Sequence, residues 1–182
     1  MTITTKHMLT FLQVLSWVIF VGVCIEAGGI LFKMIYTLFW HPAGADFFWD
    51  KADLSPLYHY NRSHFIVETS YMVIVSCLKA IIFGLIIKVF YDKKISLANP
   101  FNRYVSRFIQ SMAYLAFIVG VFSHCGVNYT EWLVSQGVKM PEMRHLRFDG
   151  ADVWLFMGVS LLVVSQIFKR GIELQEENDL TI

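Results

Sequence analysis

Four ionisable side chains interrupt stretches that are otherwise almost wholly apolar: Glu26 and Lys33 in the first, Glu68 and Lys79 in the second. A charge held in hydrocarbon is costly enough that each needs a partner, a route to water or a task. Glu26 and Lys33 are seven residues apart, two turns of helix, so they share a face. If both termini lie on one side of a membrane, Glu26, Lys33 and Glu68 fall toward the opposite surface. His64, His124, Asp149 and Asp152 reach a similar level. Carboxylates and imidazoles gathered there would suit proton relay or a divalent cation. The simpler expectation is that Glu26 or Glu68 pairs with Lys33 and helix hydroxyls, fixing the packing. Lys79, some three turns from Glu68, is expected to face the bundle or a neighbouring subunit in a homo-oligomer.

Other chemistry finds little support. His41, His59, His64, His124 and His145 cluster on the same predicted side, and Asp46, Asp50 and Asp53 join them, but no HExxH or comparable ligand spacing occurs. There is no GxSxG elbow, no phosphate-cradling loop and no nucleophile beside a base. Cys24, Cys77 and Cys125 sit in or beside apolar runs without CxxC spacing, so neither a disulfide framework nor zinc is indicated. The expectation is a protein with no catalytic residues, metal or cofactor.

The elements that must position these charges are helices. The 182 residues are 56% apolar, more than a soluble domain of this size carries, and the mean hydropathy is +0.54. A net charge of +1 offers no basic field for direct nucleic-acid binding. The charges crowd into short hydrophilic stretches between long apolar runs, which predicts an all-α membrane protein. Four transmembrane helices with short connections form one domain over 1–182, with spans at about 8–38, 65–90, 105–127 and 151–169 and a tail over 170–182. The first run is too long for a signal peptide and lacks a clean cleavage site, so it reads as a retained helix.

The first connection, His41 to His64, mixes turn formers with Phe47, Phe48, Trp49, Tyr58 and Tyr60, and part of it is expected to lie on the membrane surface. Asn61-Arg62-Ser63 and Asn128-Tyr129-Thr130 match the short glycosylation pattern. The middle segment carries Lys93, Lys94, Arg103 and Arg107 around an Asn99-Pro100-Phe101-Asn102 turn, in which Pro100 suits a first helical turn. It is either an ordinary topology determinant or an attractor of anionic headgroups. A second loop follows over 128–150. Eight Lys and Arg lie on the side of the termini and six opposite, which predicts cytoplasmic termini in a bacterial inner membrane.

The last span stops at Lys169-Arg170-Gly171, and Gly171 is expected to break or flex the helix. The acidic tail then faces the basic middle segment, and the opposite charges suggest contact. Leu180-Thr181-Ile182 offers a strand to a partner. RGIELQEENDLTI resembles the carboxyl end of the small four-span bacterial proteins of domain-of-unknown-function family 2975, through Gly171, Glu173, Leu174, Glu177, Asn178, Asp179, Leu180 and Thr181. Asn99-Pro100-Phe101-Asn102 is similar to that family's Pro-Phe cytoplasmic turn. The resemblance implies an integral membrane protein of unestablished activity, with a small helix-turn-helix regulator as cytoplasmic partner. Residues and resemblance together lead to a non-enzymatic regulatory or sensory module acting with a cytoplasmic partner in the lipid bilayer. The alternative is a small transporter or ion-conducting oligomer using Glu26, Glu68 and Lys79, and third is a membrane enzyme with an outer His/Asp site.

Overall fold

The computed structural model describes residues 5–92 and 102–179. Four long helices dominate: α1 (Thr5–Phe39), α3 (Arg62–Tyr91), α4 (Arg103–Ser135) and α5 (Ala151–Asp179), with a 3-10 turn (Pro42–Ala45) and the short α2 (Ser55–Tyr60) between the first two. Stretches of each long helix, Thr10–Phe39, Arg62–Tyr91, Arg103–Ser135 and Ala151–Asn178, are long and apolar enough to cross a bilayer. The protein is therefore a multi-pass, all-α membrane protein. The first helix, α1, has 35 residues. A helix of that length outruns the roughly 20 residues that cross a hydrocarbon core, so one end of α1 stands clear of it.

Helix starts are set by short polar side chains, which accept from amides that the first turn leaves unpaired. Asn61 Oδ1 accepts from the Ser63 amide at 2.7 Å and opens α3, while Asn102 Oδ1 accepts from the Val105 amide at 2.8 Å and opens α4. Packing then runs in chain order, α1 on α3, α3 on α4 and α4 on α5, the last seam being the most extensive. Small residues make that last seam close: a Cβ added to Gly120 would lie 2.8 Å from the Leu155 amide, and one on Gly158 2.8 Å from the Phe117 amide. One end of this row carries both connections and is the capped end. The other carries Asp92, Arg103 and the tail.

The structure departs from expectation in three places. The helix of the third span does not stop at Val127. α4 continues to Ser135, with Thr130 buried on its inner face and the Thr130 hydroxyl oxygen 2.9 Å from the Gly126 carbonyl. His124, Asn128, Glu131 and Ser135 meanwhile form an exposed polar stripe at helical spacing. α5 runs unbroken through Gly171, since a lone glycine costs a helix only about 1 kcal/mol. The first connection, part of which is expected on the membrane surface, packs inward over much of its length. It folds onto α1 and α3 and buries Phe48, Leu54 and Leu57 completely, leaving Phe47 (81% exposed) and Tyr60 outside. The Asn99-Pro100-Phe101 turn and Leu180-Thr181-Ile182 lie outside the described residues.

Candidate functional site at the capped end

Each connection drives one aromatic ring against a helix glycine. Trp49 packs on Gly29 of α1, where an added Cβ would collide with its ring, and Phe148 packs on Gly126 of α4, where a Cβ would come within 2.7 Å. Phe48 and Tyr58 meet Phe65 of α3 edge-on at 5.6 and 5.2 Å between centroids, a favoured arrangement of aromatic pairs. The inserted rings anchor the polar residues next to them, Asp50 beside Trp49 and Arg147 beside Phe148.

Arg147 is the centre of the resulting network. Its Nη2 donates to Asp50 Oδ2 at 3.1 Å. Its Nε stands 3.4 Å from Glu26 Oε1 of α1, an ion pair without hydrogen-bond geometry. Its backbone carbonyl accepts from Lys79 Nζ of α3 at 3.2 Å. Lys79 Nζ also lies 5.8 Å from the centroid of the Trp154 ring of α5. That separation is within the range of a cation–π contact. One residue thus ties α1, the first connection and α3 to the chain just ahead of α5. Both partners in the Arg147–Asp50 bond have left-handed backbones, φ 66° and 39°. That conformation is unfavourable for side chains other than glycine and persists where surrounding contacts impose it. Lys51, which follows Asp50, is left-handed as well, with φ 69°. The two form a tight turn. It is closed by the Ala52 amide, which donates to the Trp49 carbonyl at 2.7 Å.

A second polar group lies in the α3–α4 seam. Glu68 is fully buried, and its Oε1 accepts from Thr130 Oγ1 at 2.6 Å while Oε2 is without a partner. Ser76 and Ser123, buried hydroxyls from the same two helices, also lack partners. Beside them His64 Nδ1 and Tyr129 Oη are 2.6 Å apart, inside an aromatic group with Tyr60 and Trp132.

The charged residues singled out by the sequence therefore part company. Glu26 and Lys79 enter one network, but Glu26 pairs with Arg147 rather than Lys33, which is half-buried and joins neither group. Glu68 pairs with a hydroxyl instead of Lys33. His124 faces outward on the exposed stripe of α4 and does not join the cluster. Lys79 turns toward the bundle. Arg147 and Thr130 were missed, and Asp50 was singled out only as one of three acids beside the histidines, because all three come from connections or a predicted loop, where no periodicity marks an inward side chain. Among the described residues no three His, Cys, Asp or Glu side chains gather as a metal site would require.

At the opposite end, Arg103 of α4 donates to Glu176 of α5 through Nη2 at 2.8 Å to Oε1 and 3.1 Å to Oε2. The basic segment and acidic tail do meet. Of the tail residues, Glu173 accepts from Arg170 at 2.9 Å, Leu174 is exposed, Gly171, Glu177, Asn178 and Asp179 are helical, and Leu180 and Thr181 lie outside the described residues.

Fold and site define a four-span helical membrane protein with a folded cap on one end. Within that class the chain belongs to domain-of-unknown-function family 2975, whose profile, described as a protein of unknown function (DUF2975), matches residues 40–182. The match covers Asp50, Lys79, Arg147 and the tail but not Glu26. Searches of curated proteins and of solved structures returned no match to the chain.

Proposed function

We propose that the protein is a non-enzymatic sensory or regulatory module of a bacterial inner membrane, with the cap outside and both termini in the cytoplasm. The observation that carries this is α5. It begins just after the Arg147 network, runs without a break, and ends on the Arg103–Glu176 pair. A rigid helix held at one end by a partly buried network and at the other by an exposed ion pair can pass a disturbance of the cap to the far side. Orientation follows the Lys and Arg bias, eight against six. The output is contact between the tail and a cytoplasmic protein, for which the family resemblance suggests a small helix-turn-helix regulator. Purifying the full chain and a chain ending at Gly171 from native membranes tests this. At least one cytoplasmic protein should be lost with the tail, and an identical set from both would contradict the proposal.

A second reading, ion or proton conduction, is favoured by the unpartnered oxygens of Glu68, Ser76 and Ser123 along one seam. Buried polar groups of this kind in a membrane usually mark a task or a bound water. Flux in proteoliposomes that Glu26→Gln, Glu68→Gln and Lys79→Met all leave unchanged would retire it.

A further inference from the structure

At the tail end a groove of ≈ 300 Å³ opens between the last turns of α3 and the first turns of α4. Its walls combine three kinds of side chain, Tyr104 and Ser111 supplying hydroxyls. Leu85, Val89 and Phe108 are apolar, whereas Lys88 and Arg107 are cationic, and among the described residues no carboxylate lines it. Among the described residues neither cation makes an ion pair. The acids at this end are already engaged: Asp92 accepts from Tyr104 at 2.9 Å, and Glu176 and Glu173, which line the adjoining groove on the other side of Arg107, are held by Arg103 and Arg170. The contrast with the capped end is direct, since there Arg147 has a carboxylate at 3.4 Å and another at 3.1 Å.

The groove also sits where the apolar runs end. Lys88 lies in the last turn of α3, and the apolar run of α5 stops nearby at Lys169-Arg170. Two such cations at that level, above an apolar wall that continues toward the bilayer, match a phosphate with a hydrocarbon chain attached. We propose that this groove binds the phosphate of an anionic phospholipid, with Lys88 and Arg107 on the phosphate oxygens and an acyl chain along Leu85, Val89 and Phe108. A zwitterionic lipid carries its own ammonium, which would find no acid in the groove. Free phosphate shares the anionic chemistry but leaves the apolar wall uncovered. The assignment holds whichever leaflet meets the tail end, so it stands apart from the proposed orientation.

Native mass spectrometry of the purified full chain, titrated with phosphatidylglycerol, phosphatidylcholine of identical chains, or inorganic phosphate, tests it. Phosphatidylglycerol should bind preferentially. Replacing both cations, Lys88→Gln with Arg107→Gln, should weaken that binding roughly 30-fold, at about fivefold per cation. Lys139→Gln, an exposed cation of the second connection, should leave it unchanged. Should the double variant fail to fold, rising salt on the unaltered protein should erode the preference for phosphatidylglycerol. Equal binding of both lipids, equal competition by inorganic phosphate, or a double variant that binds as before would overturn the proposal.

Discussion

The two ends of this molecule use the same pairing, arginine with carboxylate, in opposite settings. At the capped end Arg147 and Glu26 are 28% and 22% exposed and are joined by a third segment through Asp50. At the tail end Arg103 and Glu176 are 72% and 53% exposed. Water and salt weaken an exposed pair to about 0–1 kcal/mol, whereas removing one member of a partly buried network strands a charge in poor solvent. The capped end is therefore a clamp and the tail end a contact that opens at little cost.

The comparison can be broken from the capped end first. Phe65 is fully buried between Phe48 and Tyr58. Its truncation, Phe65→Ala, should cost about 3–5 kcal/mol. Thermal unfolding in detergent would show the loss, and limited proteolysis should place new cuts within residues 41–61. Arg147→Ala should cost roughly 2 kcal/mol, below the loss for a fully buried pair because both partners keep some water. Gly29→Ala pushes a methyl against the Trp49 ring, and such overpacking should cost about 1–3 kcal/mol. Its signature should be proteolysis confined to the first connection. Glu176→Gln at the other end should change stability by less than about 1 kcal/mol. A loss there equal to that of Arg147→Ala would erase the distinction between the ends.

Much of this was legible in the sequence, and the exceptions have physical causes. The four spans follow from apolar runs long enough for a bilayer, and the contact of basic segment with acidic tail follows from opposite charge at one level. Glu26 and Lys79 stood out because charges in such runs are expensive. Their partners did not. Arg147 sits in an irregular connection far along the chain, and nothing local marks its side chain as turned inward. The same holds for the folding of the first connection. Its aromatics could lie at headgroups or pack inward, and the deciding feature is the bare surface of Gly29, which reads in sequence only as a weak helix residue. The overrun of α4 was hidden because Asn128, Thr130 and Glu131 look like loop residues until one face of the helix is known to be buried.

The central claim is that α5 connects the clamp to the tail. Hydrogen–deuterium exchange in lipid nanodiscs, comparing the unaltered chain with Arg147→Ala, tests it most directly. Exchange should rise both in the first connection, residues 41–61, and in the last turns of α5, residues 170–178, with the intervening helix unchanged. A rise confined to the cap, with the tail as protected as before, would contradict the account.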